Sequence, residues 1–148
     1  MKKTGIYLAG PLFCEAEVIW AGRLKERMET AFGDRVEVIW PHEIASGTSE
    51  EIFKTDLAAL KRCPLMVAIL DGPQVDGGTS WEVGCHYTLF GKKGAIGIRT
   101  DFRKAGEMDD LKVNLMVERF LQGDRRRVRR AHIRTGKGFG IAHPNTQT

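Results

Sequence analysis

The 148-residue chain is 42% hydrophobic and 28% charged, the size and balance of one globular domain that can bury a core without staples, and no apolar run approaches the roughly 20 residues of a membrane span. Its net charge of +4 is local: Arg125, Arg126, Arg127, Arg129, Arg130, Arg134 and Lys137 face Asp124 alone, a +6 segment that leaves −2 on the remainder. That run has no interleaved aromatics, which predicts a solvated or subunit-contacting segment and no nucleic-acid partner.

The start, Met1-Lys2-Lys3-Thr4, leads into a short apolar run broken by Gly10-Pro11, a pattern that predicts no export signal and therefore a cytoplasmic protein. Residues 4–9 read as the first strand and residues 15–31, with Val18, Leu24 and Met28 at helical spacing, as the first helix. A second strand is expected over 36–40 and a helix over 49–62, where Ile52, Phe53, Leu57 and Leu60 recur on one face. Strands over 65–70 and 94–98 bracket a helix over 79–91 carrying Val83 and Leu89, and a last helix is expected over 112–121. Short buried strands alternating with helices predict βαβ units in an open, doubly wound, mostly parallel sheet with flanking helices. In such a sheet the ligand lies beyond the carboxyl ends of the strands, here the loops 10–15, 41–47, 71–78 and 99–112. The pattern fades after this, so the expected organisation is one domain over 1–122 and a basic tail over 123–148, mobile or docked on a partner subunit. The cysteines Cys14, Cys63 and Cys85 form no C-x-x-C pair and have no histidine at ligand spacing, which predicts reduced thiols and no metal.

The most informative stretch runs from Ile69 through Asp71, Asp76-Gly77-Gly78-Thr79 and Trp81 to Glu82-Val83-Gly84. Thr79-x-x-Glu82 fits a capping box, in which Glu82 serves only the helix start. The paired glycines favour a second reading, a ligand approaching the backbone at a helix N-terminus whose field keeps a carboxylate ionised at neutral pH. The other residues have plainer readings. Tyr7 reads as a core aromatic with a satisfied hydroxyl, Asp56 as a solvated helix residue or one facing inward with Leu60, and Asn114 as a helix N-cap. Asp71 ends a strand and braces its loop, while Trp81 and Phe13 read as pocket wall or core. His42, after Trp40-Pro41, is the most ligand-like histidine.

Taken in order, Tyr7-Leu-Ala-Gly-Pro-Leu-Phe, Asp56 in Lys-Thr-Asp-Leu, Asp76-Gly-Gly-Thr-Ser-Trp-Glu82-Val-Gly and Asn114-Leu-Met resemble the nucleoside 2-deoxyribosyltransferase family over roughly residues 5–121. The chain departs from it at Gly77, where many members carry Ser, and after Gly123. The resemblance implies a flavodoxin-like fold and transfer of a 2-deoxyribosyl group between nucleobases without cofactor or metal. By it, Glu82 is the nucleophile of a retaining double displacement, Asp56 the acid/base facing the nucleobase, and Tyr7 the group orienting Glu82. Asp76 and Asn114 would hold the sugar, with Gly10, Pro11, Phe13, His42 and Gly78 completing the substrate contacts. The partners implied are a 2-deoxynucleoside, a free nucleobase and further copies of the chain in a dimer-based assembly, possibly a hexamer, with Asn114 donated by a neighbour. The apolar residues Val113, Leu115, Met116, Val117, Phe120 and Leu121, spread round the last helix, point the same way. The alternative is a nucleoside or nucleotide N-glycosidase using the same nucleophile. A phospho-receiver domain is disfavoured because Ala9-Gly10-Pro11 stands where its acidic pair would be.

Overall fold

In the computed structural model, which describes residues 2–91 and 93–121, the four apolar runs become strands β1 (Thr4–Ala9), β2 (Val36–Ile39), β3 (Leu65–Ile69) and β4 (Ala95–Ile98). They form one parallel sheet in the order β2-β1-β3-β4. Tyr7 stands beside Ile39 on one side and Met66 on the other. The helices are α1 (Glu15–Phe32), the single turn α2 (Pro41–Ile44), α3 (Ser49–Arg62), α4 (Gly77–Phe90) and α5 (Leu115–Leu121). The expected basic tail lies outside the described residues.

Connection handedness explains how the helices are distributed. The chain moves one way from β1 to β2, then back past β1 to β3 and on to β4, and right-handed crossovers therefore put α1 on one face and α3 and α4 on the other. Period-two alternation divides the strand side chains accordingly. Ile6, Leu8, Val38, Trp40, Val67 and Ile69 pack with Ala21 and Met28 of α1. Tyr7, Ala9, Ile39, Met66, Ala68 and Leu70 face Leu60 of α3, Val83 of α4 and the α5 residues Val117, Phe120 and Leu121. The reversal in strand order falls between β1 and β3, the crevice where doubly wound sheets bind ligands. This is the doubly wound α/β fold that the strand and helix alternation predicts, and the flavodoxin-like one that the family resemblance implies.

Most boundaries fall within one residue of expectation, and three places differ by more. Within the loop over 41–47, Pro41 starts a helical turn, because its fixed φ suits the first helical position and costs no hydrogen bond. α4 begins at Gly77 instead of residue 79, because Asp76 is its cap. α5 starts at Leu115 instead of residue 112. Asn114 is the cap there, its Oδ1 accepting from the Met116 amide at 3.0 Å, and the Glu107 carboxylate accepts from the Leu115 amide at 2.8 Å. Docking of α5 on β4 depends on Gly97, where a Cβ would lie 2.6 Å from Leu121 and 2.7 Å from Leu70.

The apolar spread of the last helix is also accounted for differently. Val113, Val117, Phe120 and Leu121 are buried in the chain's own core, so they are not surplus surface. Met116 remains exposed, at 76%. Phe53 and Leu89, expected to face inward, are exposed as well, since each lies at the margin of its helix's core-facing stripe.

Candidate active site

Two helix faces meet above Tyr7. On α3, which Thr48 caps by accepting from the Glu51 amide while Glu51 accepts from the Thr48 amide at 2.7 Å, the spacing i, i+3, i+4, i+7 aligns Phe53, Asp56, Leu57 and Leu60. On α4 the spacing i, i+3, i+4 aligns Gly78, Trp81 and Glu82. Together with Tyr7 these residues line an opening of about 170 Å³. The sequence supplies each face through helical periodicity, and the sheet supplies the floor by turning Tyr7 toward α3 and α4.

The Tyr7 hydroxyl donates to Glu82 Oε1 at 2.6 Å. This contact turns Glu82 away from the capping reading. It is not part of a capping box, because Thr79 is the third residue of α4 and not its cap. Asp76 Oδ2 instead accepts from the Thr79 amide at 2.8 Å and the Thr79 hydroxyl at 3.1 Å. Glu82 is thus free of the helix end and turned into the opening.

The electrostatics of the opening resist charge. Burial pushes the Glu82 carboxyl up to about 7; the Tyr7 hydrogen bond opposes that rise, and Asp56 and Asp76 add to it. Burial therefore works against the carboxylate that the helix N-terminus was expected to keep ionised. Glu82 lies past the first turn, where the helix field has fallen away, and desolvation wins. Burial raises the Asp56 carboxyl above its ordinary value too, and Asp56 Oδ1 is shielded from solvent with no hydrogen-bond partner among the described residues. Burial first, then the adjacent Glu82, raises the Tyr7 hydroxyl far above its usual range, so it stays a donor. A buried acid oxygen with no partner is a costly arrangement that a structural role does not need.

The structure brings together Tyr7, Asp56, Glu82 and Gly78, with Asp76 at the adjoining helix cap. Gly78 is confined, since a Cβ there would sit 3.1 Å from Asp76 Oδ2. The other expected residues do not line this opening. Gly10 packs against Ile69, and Pro11 lines a separate 240 Å³ cleft with Trp20 and Asp71 on the α1 side. Phe13 is 80% exposed, outside the opening. His42 is exposed and packs on Trp40, ring centroids 4.7 Å apart, and so belongs to the α1 side of the sheet. These four follow strand ends whose direction a linear motif does not report. Asn114 caps α5, donates from Nδ2 to Glu107 and lines a different, 500 Å³ opening with Gln74, Ser80 and Met116. Phe53 was missed as a lining residue; its i, i+3 relation to Asp56 was the signal available.

Asp71 braces its loop as expected. It accepts from the Thr100 amide at 2.5 Å, the Thr100 hydroxyl at 2.6 Å and the Asp101 amide at 2.8 Å. A 280 Å³ groove between α4 and α5, lined by Tyr87, Met116 and Phe120 among others, is roomier than the Glu82 opening but brings no pair of carboxyls together. Among the described residues no cluster of metal-ligating side chains occurs, and none of the described helices is long and apolar enough to cross a membrane.

A model of the nucleoside 2-deoxyribosyltransferase family matches residues 6–116. Similar solved structures include a conserved protein from Enterococcus faecalis V583, 26% identical with a TM-score of 0.67 over 81% of this chain and 87% of that one. A 2-deoxyribosyltransferase from the psychrotolerant bacterium Bacillus psychrosaccharolyticus is 27% identical, with a TM-score of 0.61 over 80% of this chain and 82% of that one. A 2-desoxiribosyltransferase from Leishmania mexicana, 23% identical with a TM-score of 0.62 over 77% and 85% of the two chains, shares the fold. No curated protein matches the chain.

Proposed function

We infer the reaction from the premise that the chain belongs to the nucleoside 2-deoxyribosyltransferase family, whose model spans residues 6–116, and is an enzyme of that type. Glu82 attacks C1′ of a 2′-deoxynucleoside, forming an ester bond as the C1′–N bond breaks through an oxocarbenium-like transition state. The electron pair of that bond leaves with the base, which takes a proton from Asp56. A second base then attacks C1′ from the vacated side and gives its proton to Asp56, and Glu82 departs as carboxylate. Two displacements at one carbon retain its configuration, and atoms and charge balance with these side chains alone. The observation that carries this reading is the 2.6 Å Tyr7–Glu82 hydrogen bond, which aims the carboxylate into an opening shared with an unpartnered Asp56 oxygen. Asp76 and Asn114 hold the sugar in the same reading.

Incubating 2′-deoxyadenosine with a different free base and resolving the products by chromatography tests it. The expected product is a new 2′-deoxynucleoside of the starting configuration. Release of free 2-deoxyribose with no new nucleoside would identify a hydrolase instead.

A homo-oligomer completes the site. An opening of about 170 Å³ is smaller than the roughly 300–1,000 Å³ of ordinary ligand pockets, and Asn114 does not line it within its own chain. Asn114 and the exposed Met116 are then groups that one copy offers to another. Mixing inactive Glu82→Ala and Asn114→Ala proteins should restore activity, because hybrid assemblies contain sites with both residues intact. No recovery in subunits shown to exchange would refute the sharing. Unpaired thiols at Cys14, Cys63 and Cys85 and free nucleosides as substrates agree with a cytoplasmic setting.

A further inference from the structure

Phe53 and Trp81 are large aromatic side chains that the fold leaves half uncovered, at 51% and 48% exposed, although both line the opening that holds Asp56 and Glu82. Their ring centroids are 5.6 Å apart and the planes are inclined at 55°. In that tilted contact each ring holds the other in place without covering it as a parallel stack would. Helix geometry fixes both beside the reacting groups, Phe53 one turn before Asp56 on α3 and Trp81 immediately before Glu82 on α4. The opening is too small for a whole nucleoside, so part of the substrate projects past its rim. If Glu82 reaches C1′ and Asp56 reaches a ring nitrogen of the leaving base, the projecting part is the base, and the rim beside Asp56 is aromatic.

We propose that Phe53 and Trp81 form the stacking wall against which the nucleobase lies, an assignment that rests on the transferase reading above. A wall of this kind suits a site that must release one base and accept another. Every nucleobase has a π-face, so stacking holds different bases without matching their hydrogen-bonding edges. Asp56 supplies the polar contact, and the rings supply area at little cost in ordering because they already brace each other. Purines, with the larger face, depend on the wall more than pyrimidines do.

The test uses the full chain carrying Glu82→Gln, which removes turnover, and measures adenine binding by calorimetry with and without Phe53→Leu, Trp81→Leu or Trp81→Phe. Leucine keeps an apolar side chain and removes the π-face. Loss of stacking corresponds to about 5- to 150-fold weaker binding, which is expected for each leucine variant, with most of the affinity kept by Trp81→Phe. In the otherwise native enzyme the same substitutions should raise KM for the acceptor base far more than they lower kcat. Unchanged adenine binding in both leucine variants, or equal effects of leucine and phenylalanine at residue 81, would overturn the proposal. So would weakening that appears only when sedimentation shows the assembly dissociating, since the rings would then be a subunit contact. Transfer by the native enzyme with base binding indifferent to both residues would sink the wall and leave the transferase reading standing. A native protein that neither binds nor transfers bases would sink both.

Discussion

Past the end of β3 the Asp71 carboxylate accepts three hydrogen bonds from Thr100 and Asp101, while on α3 Asp56 keeps a shielded oxygen with no partner among the described residues. The contrast extends to their neighbours. Asp101 is held well below the usual carboxylate range, first by its hydrogen bonds to Arg103, and buried Arg99 ties the loop by donating to the carbonyls of Leu70, Gly72 and Arg103. Around Glu82 the order reverses, with burial raising the carboxyl to about 7 and Tyr7 its sole hydrogen-bond donor among those described. One cluster of acids has its hydrogen-bonding capacity used up in holding a loop. The other is left short of partners, which is the condition of groups that change charge during a reaction. The difference lies in partners, since both clusters are built from ordinary acids.

Substitutions in the two regions should separate accordingly. The largest effect is expected at Glu82: replacing it by Gln should reduce transfer by about three orders of magnitude or more with the circular dichroism spectrum unchanged. Near-normal turnover of this variant would place Glu82 with Asp71 as a structural acid.

A smaller effect, with a distinctive signature, is expected at Tyr7. Asp56 adds to the rise of the Glu82 carboxyl, and turnover in the proposed reaction requires one proton between the two, so that Asp56 can give it while Glu82 carries the charge. The profile of kcat/KM should therefore fall on the alkaline side as pH rises through about 7, where the last proton leaves. Because the Tyr7 hydrogen bond lowers the Glu82 carboxyl, Tyr7→Phe should move that limb to higher pH. It should also cost about 10- to 100-fold in kcat/KM, the worth of one hydrogen bond to a charged group. A limb that stays in place or moves down would show that Tyr7 does not tune Glu82.

The smallest effect on chemistry is expected at Asp71. Asp71→Ala should leave kcat/KM within about threefold but lower stability by about 1–3 kcal/mol, because the Thr100 and Asp101 amides lose their acceptor. Thermal unfolding measures it. A severe loss of activity with unchanged melting would remove the distinction between the two clusters.

Much of this was legible from residue order. The strand over 4–9, the strand expected over 65–70 and found over 65–69, and the helix over 49–62 follow from runs of apolar residues and from Thr48 and Glu51, which are local signals. Asp71 as a brace was equally legible, since a carboxylate at a strand end finds the amides of the next loop. The pairing of Glu82 with Tyr7 was readable only through resemblance to a family. The capping box that Thr79 and Glu82 could have made does not form, because Asp76 three residues earlier competes for the same amide and wins, and local patterns do not rank such competitors.

What the sequence by itself determined are the quantities that depend on neighbours along the chain: strand and helix placement, the parallel sheet, and the face of α3 that carries Asp56. Tertiary structure alone decided which of those faces meet. It put Tyr7, Asp56, Trp81 and Glu82 around one opening that Phe13 and His42 do not line, and it raised the Glu82 carboxyl to about 7. Burial, charge proximity and hydrogen-bond competition act through space, and the distances that set them exist only once the helices are packed on the sheet.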